Sequence, residues 1–414
     1  MSPTTPHHPL PFITRVRIEN YKSIAHCDVA LGRFTVLLGL NAAGKSNFLD
    51  ALRFVRDALM HGPAEAVASR GGWNEVLRRV PEPATSCTVG VEFQLSSTTD
   101  GAVPWRGWYE ITLAPVAVSG TVRDAGPGVR ILREFCEMRR PGIQGQPETE
   151  SFLMRDRAGE GRRHRVLELS RMDDDEPFAR LHATLMEMFF YSPDLSVLRE
   201  PRPSTPVFAG LGEDGGALGP ALAALGEQER ERISQYLGAI VPGVVEVGPT
   251  DPSADYVAAR MSFATDGESE PHVFRAESMS EGTIRAIGLL TALFQPDARD
   301  GWIPLIAVEE PELALHPLAA GALYDALTEA SESVQVLATT QSAELFDRKE
   351  ADLSAIRVVA AEHGVTVIGE VDPVSRSIVA DGLATTAELL RSDQLRPVVD
   401  PPAQLDEQPG GEKE

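Results

Sequence analysis

The 414-residue chain is 43% hydrophobic and carries a formal net charge of −23. That is enough apolar content for a substantial core, and too much negative charge for a general coat on DNA or on an anionic membrane. No stretch reaches the ~20 apolar residues of a membrane span, the start "MSPTTPHHPLPF" lacks the basic n-region of a signal peptide, and Cys27, Cys87 and Cys136 follow no metal spacing, so a soluble cytoplasmic protein with reduced thiols is expected.

In chain order, residues 1–11 read as a Pro- and His-rich disordered tail. "FITRVRIE" alternates as a strand, "RFTVLLG" reads as a buried strand, and "KSNFLDALRFVRDALM" repeats Phe48, Leu49, Leu52, Val55 and Leu59 at helical spacing. Between residues 86 and 157 the period becomes two: "CTVGVEFQL", "GWYEITLAP", "VRILREFCEM" and "SFLMRD" predict antiparallel strands separated by Gly/Pro turns. A helix-rich section follows, with two helices joined at Gly226, and strands return at "DYVAARMSFA". The helix "EGTIRAIGLL", the strand "WIPLIAVEE", the helix "PLAAGALYDALTEA" and the strand "SVQVLATT" then alternate as a covered parallel sheet requires. The expected fold is α/β with a split core. Residues 12–95 and 276–395 supply the two core parts, 96–275 a β-rich and helical insertion, and 396–414 an acidic disordered tail.

The chemistry concentrates in three places. Gly39-Leu40-Asn41-Ala42-Ala43-Gly44-Lys45-Ser46 matches G-x-x-x-x-G-K-[ST] between a strand and a helix, with Asn47 following. Its glycines let backbone N–H groups turn toward phosphates, and the helix start adds partial positive charge. Lys45 is one of four lysines, with Lys22, Lys349 and Lys413, in a chain whose basic charge is otherwise arginine. It would reach the β- and γ-phosphates of ATP while Ser46 takes a place on Mg²⁺. Second, "PLIAVEEPELALHP" ends an apolar strand in Glu309 and Glu310, at the sheet edge where ligands of open parallel sheets sit. One carboxylate can serve Mg²⁺ and the next can polarise the attacking water; Glu312 and His316 sit in the turn beyond. Third, "VLATTQSAEL" puts Gln341 at the same edge, where an amide can orient water or touch a γ-phosphate, while Ser342 can cap the next helix.

With the helix start Ser280-Glu281-Gly282, these elements resemble the ABC-type ATPases, and more narrowly the SMC/RecF/OLD-like branch of the AAA_21 kind. The opening "ITRVRIENYKSIAHCDVALGRFTVLLGLNAAGKSNFLDAL", "FYSPDLSVLREP", "EEPELALHP" and "LATTAELLRSDQL" carry the resemblance, over roughly residues 12–60 and 187–395. It implies a P-loop core and Mg²⁺-dependent ATP hydrolysis. Ser280 and Gly282 would form the signature, which reads ATP held by the other copy of a homodimer, so the chain's two phosphate-facing helix starts would serve different nucleotides. It further implies work in DNA repair or maintenance, or in defence against foreign DNA. Three departures stand out: Glu281 before Gly282, Glu309 where an Asp is commoner, and Gln341 in place of the switch histidine, which implies slow turnover. The glutamine loop of the family has no match, since Gln94 falls inside a strand.

Other readings stay open. The chain could gate a separately encoded effector or nuclease without touching DNA, or serve a membrane transporter as its ATPase subunit, against which the long β-rich insertion counts. Lys22 sits either near the nucleotide or in a solvated turn. The arginine-rich run Arg155–Arg171 either lines a DNA groove or, with Asp173–Glu176 after it, is a solvated loop.

Overall fold

The computed structural model describes residues 11–96, 103–116, 128–142, 146–155, 166–172, 177–204, 210–251, 253–265, 270–346, 352–392 and 394–398. Both expected tails fall largely outside this set, as do residues 156–165 of the arginine-rich run and the acidic 173–176.

Period-two alternation makes β1 (Ile13–Tyr21), which buries Ile13, Val16, Ile18 and Tyr21, and β2 (Ile24–Ala30) returns beside it. The unbroken apolar run gives β3 (Phe34–Leu38), then α1 (Lys45–His61), α2 (Pro63–Ala68) and α3 (Trp73–Val76). The four alternating segments form β4 (Cys87–Leu95), β5 (Trp105–Pro115), β6 (Val129–Pro141) and β7 (Pro147–Arg155). Next come α4 (Phe178–Met186), β8 (Phe189–Tyr191), α5 (Leu195–Arg199) and β9 (Arg202–Pro203). The helices α6 (Leu218–Ala224) and α7 (Glu227–Ile240) meet at Gly226 as expected. They are followed by β10 (Val244–Pro249), β11 (Tyr256–Val257), β12 (Ala259–Phe263) and β13 (His272–Arg275). The last third runs α8 (Glu281–Phe294), α9 (Pro296–Arg299), β14 (Leu305–Glu309), α10 (Ala320–Ala330) and β15 (Gln335–Thr340). It closes with β16 (Ile356–Glu362), β17 (Val365–Val371), α11 (Pro373–Ala380), α12 (Thr386–Arg391) and β18 (Pro397–Val398).

Among the described residues the principal sheet has 13 strands, ordered β7-β6-β5-β4-β1-β2-β17-β16-β3-β15-β14-β8, with β18 beside β17. From β8 through β14, β15 and β3 to β16 every pairing is parallel. From β7 to β2 every pairing is antiparallel. The α/β class with a parallel sheet is borne out, and the antiparallel strands hydrogen-bond into the same sheet. The seam is β17, antiparallel to β16 and parallel to β2 through Thr366 opposite Ile24. Two smaller sheets, β10-β12-β13 and β11-β9, accompany the helices of the middle section.

The parallel strands explain why their sequences are continuously apolar. Val36, Leu38, Ile306 and Val308 pack with α8 and α10, whereas Leu37, Leu305 and Ala307 pack with α1, so both faces are dry. That second core continues under β1, β4, β5 and β6. No helix among the described residues is long and apolar enough to cross a membrane.

Candidate active site

The loop between β3 and α1 is held in shape by its glycines and by a hydrogen-bond chain the sequence did not reveal. Gly39 N–H donates to the Thr340 carbonyl at 3.2 Å. A Cβ on Gly39 would stand 2.1 Å from the Val359 carbonyl oxygen, so only glycine fits between the strands. Gly44 has φ 105° and faces Thr366, whose hydroxyl a Cβ would meet at 2.0 Å. Asn47 Nδ2 donates to Ser23 Oγ at 2.6 Å, Ser23 pairs with Thr366 Oγ1 at 2.6 Å, and Thr366 donates to the Ala43 carbonyl at 2.8 Å. Polar side chains of the seam between the sheet halves thus brace the loop from behind. Leu40, Asn41, Ala42 and Ser46 remain exposed on its front.

Lys45 is buried, and its Nζ donates to the Gly39 and Leu40 carbonyls at 2.8 and 3.0 Å. Burial pulls its pKa below the usual lysine value, against the opposing pull of Glu310, Glu312 and Glu309. Ser46 Oγ donates to Glu309 at the end of β14, so helix start and strand end meet. A hydroxyl and a carboxylate oxygen side by side are hard donors of the kind Mg²⁺ takes, with phosphate and water completing its shell. The described residues contain no cluster of three or more His, Cys, Asp or Glu able to hold a metal. A phosphate-supported Mg²⁺ needs none.

Glu310 follows with φ 44°, a left-handed conformation that costs a non-glycine residue ~1–2 kcal/mol. The bend is fixed from β15, because Glu310 N–H donates to the Thr339 carbonyl at 2.9 Å. Gln341 Nε2 donates to the Glu310 carboxylate at 3.4 Å. Glu312 turns back inward, its Oε1 accepting from Thr340 Oγ1 while its Oε2 is buried without a hydrogen-bond partner. Burial pushes the Glu312 carboxyl above the usual range, and Glu310 adds to the effect. The sequence placed Glu312 in a turn tolerant of acids; the signal for more was its place three residues beyond Glu309.

The structure therefore brings Gly39–Asn47, Glu309, Glu310 and Gln341 to one sheet edge. Ser280 and Gly282 stand at a neighbouring corner. Ser280 caps α8 by accepting Thr283 N–H at 3.1 Å and is exposed. Gly282 is buried, and a Cβ there would reach 2.1 Å from the Ala314 carbonyl oxygen. Its lack of a side chain is required within the subunit, by close packing on the turn after β14.

Lys22 is half-buried and ion-paired, not a freely solvated turn lysine. Its Nζ pairs with Asp50 at 2.5 Å, and Asp50 also accepts from Tyr21 and Arg70 at 2.7 and 2.9 Å. Burial would raise the Asp50 carboxyl, yet Arg70 and Lys22 hold it below its usual value. Gln94 lies in β4 and donates to the Pro11 carbonyl at 3.4 Å, as a strand residue.

Comparison with known proteins follows the same outline. The AAA_21 family model, described as "AAA domain, putative AbiEii toxin, Type IV TA system", matches residues 34–114 and 162–347. No curated protein sequence matches. Among solved structures, an Smc head bound to the C-terminal winged-helix domain of ScpA is similar with a TM-score of 0.52 and 16% identity, covering 89% of this chain and 99% of that one. An Smc head domain with an extended coiled coil, bound to the C-terminal domain of ScpA and derived from Pyrococcus furiosus, is similar with a TM-score of 0.50 and 14% identity, covering 90% and 100%. At such identities the likeness is one of fold.

Proposed function

The chain belongs to the AAA_21 family of AAA domains, and from that premise we propose that it binds ATP with Mg²⁺, hydrolyses it slowly, and switches between monomer and a head-to-tail homodimer. The observation that carries this reading is the convergence of Lys45, three glutamates and the Ser46–Glu309 hydrogen bond at the carboxyl edge of the parallel strands.

In this reading the amides of Gly39–Asn47 and the α1 start take the phosphates. Lys45 exchanges its two carbonyl partners for phosphate oxygens, a short move for a flexible ammonium already countered by carboxylates. Ser46 and Glu309 hold Mg²⁺, which supplies neutralisation of phosphate charge. Glu310 takes the proton from the attacking water, and the fixed bend at its backbone keeps the carboxylate on station. Gln341 steadies Glu310 and senses the γ-phosphate. Because an amide cannot exchange a proton as an imidazole does, turnover is slow. Ser280 and Gly282 read the nucleotide of the second copy.

The family's toxin–antitoxin description supports a role in defence against foreign DNA, alongside DNA maintenance, with an effector or DNA as the thing the closed dimer controls. The testing experiment is the solution mass of Glu310→Gln with and without ATP·Mg²⁺, beside wild type and Ser280→Arg. Doubling of Glu310→Gln only with ATP, and its absence in Ser280→Arg, is expected. ATP binding without any dimer would overturn the two-copy reading.

A further inference from the structure

A cavity of ≈ 470 Å³ opens beside Ser280. Ser280 and Thr283 at the α8 start form one wall, Ile240 at the end of α7 another, and Leu315, His316 and Leu318 of the turn after β14 the third. His316 is exposed, and its Nδ1 accepts Leu318 N–H at 3.2 Å, capping the turn that leads into α10. A neutral imidazole that accepts at one nitrogen carries its hydrogen on the other. The ring therefore presents Nε2–H as a donor on the side away from its own backbone. The close packing of Gly282 on the Ala314 carbonyl sets this turn directly against the α8 start that carries Ser280.

Within its own subunit the nucleotide edge has no imidazole at the switch position: Gln341 stands there, and its amide is engaged with Glu310. We propose that His316 supplies the missing ring in trans, donating Nε2–H to a phosphate oxygen of the ATP held on the second copy's Gly39–Ser46 loop, next to Ser280 Oγ. This rests on the two-copy reading above. The second copy is also the occupant that the apolar rim favours. Leu318 is 88% exposed at the cavity mouth and Leu40 is 54% exposed at the tip of the phosphate loop. Head-to-tail pairing would cover both at once.

The first test is mass. In the Glu310→Gln background, adding His316→Ala is expected to raise the ATP concentration needed for dimerisation tenfold or more, the scale of a hydrogen bond to a charged group. Two further variants separate phosphate contact from capping. His316→Asn keeps both a capping acceptor and an N–H donor and should restore most of the loss, whereas His316→Asp keeps the cap alone and should not. Equal rescue by Asp would make His316 a cap and nothing more.

The second test is complementation of ATP hydrolysis. At an ATP concentration below the one His316→Ala needs for dimerisation, neither His316→Ala nor Lys45→Ala should turn over alone, yet mixing them rebuilds one complete site, because the intact phosphate loop and the intact His316 then come from different copies. A Ser280→Arg plus Lys45→Ala mixture runs beside it. Regained hydrolysis in both mixtures supports the proposal. Recovery with Ser280→Arg but not with His316→Ala overturns it and leaves the dimer reading standing. Recovery in neither, or wild-type hydrolysis and dimerisation by His316→Ala alone, also overturns it, the former together with the dimer.

Discussion

Two carboxylates withdrawn from solvent, Glu134 on a strand of the antiparallel half and Glu312 in the turn after β14, are treated in opposite ways. Glu134 in the antiparallel half is fully buried and accepts from Tyr109 Oη at 3.0 Å, from Leu169 N–H at 2.9 Å and from Glu168 N–H at 2.5 Å. Glu312 accepts from Thr340, and its second oxygen is buried with no hydrogen-bond partner. Burial pushes both above the usual carboxylate range. Where the carboxylate only ties a strand to the Leu169–Arg171 turn, every donor is in place. Beside Lys45 and Glu310, one Glu312 oxygen is left over by the fold and can respond to a ligand that changes the charge around it.

The comparison breaks most visibly if the parallel half is altered at the groups proposed to react. Glu310→Gln should lower ATP hydrolysis by ~10²–10⁴-fold, the usual worth of a general base, while ATP affinity stays within a few fold. Phosphate release and nucleotide binding, measured on one preparation, check both halves of the statement. A loss of affinity as large as the loss of rate would make Glu310 a binding residue. Lys45→Ala should weaken ATP·Mg²⁺ by about a hundredfold, through loss of charge-assisted contacts. At the same nucleotide concentration it should cut ligand stabilisation, which for wild type at a hundred times Kd is ~2.7 kcal/mol, to ~0.4 kcal/mol. Calorimetric binding and thermal unfolding with and without ATP·Mg²⁺ would show it.

Much of the fold and of the candidate site could be read from the sequence alone. The strand-loop-helix around Gly39–Ser46, the acids Glu309 and Glu310 at a strand tip and the alternating strands from Cys87 onward are all local patterns, and local patterns survive in a sequence. What escaped was made by distant residues. Thr366 and Ser23 brace the loop from 343 residues apart in the chain, and nothing in "GVTVIG" or "YKSIA" announces that β17 and β2 are neighbours. Glu134 looks like any acid in an arginine-rich strand, since its two backbone donors lie in a turn over thirty residues later. Gly282 was legible as part of a motif, but its packing on Ala314 came only from the crossing of α8 and the turn after β14.

Stability sharpens the comparison at smaller scale. Glu134→Ala strands three donors in a dry interior and should cost about 2 kcal/mol or more, seen as a lower urea midpoint at unchanged slope. Glu312→Gln should change ligand-free stability by less than ~1 kcal/mol, because the amide oxygen still accepts from Thr340 and a buried charge is removed. An equal loss in the two variants would mean that Glu312 is as structural as Glu134.

The smallest effect is in pH, and it carries the clearest sign. A carboxyl whose folded pKa lies above its unfolded value of ~4.3 binds its proton more tightly in the native state. Its contribution is therefore fully present below the unfolded value and is lost as pH rises through the folded one. Glu134→Gln has no such proton, so wild type should gain on it as pH is lowered from neutral toward ~4.3, by at most ~1.4 kcal/mol per pH unit, and then level off. Glu312→Gln should show the same direction without nucleotide. The two then part company. Glu312 lies close enough to Lys45 for their charges to interact, whereas Glu134 is enclosed by Tyr109 and backbone donors in the other half of the sheet. Saturating ATP·Mg²⁺ should alter the Glu312 slope and leave the Glu134 slope where it was. Urea unfolding of both variants at several pH values, with and without nucleotide, reads this directly. If ATP·Mg²⁺ moved the two slopes alike, the contrast between Glu134, completed by the fold, and Glu312, responsive to the nucleotide, would be wrong.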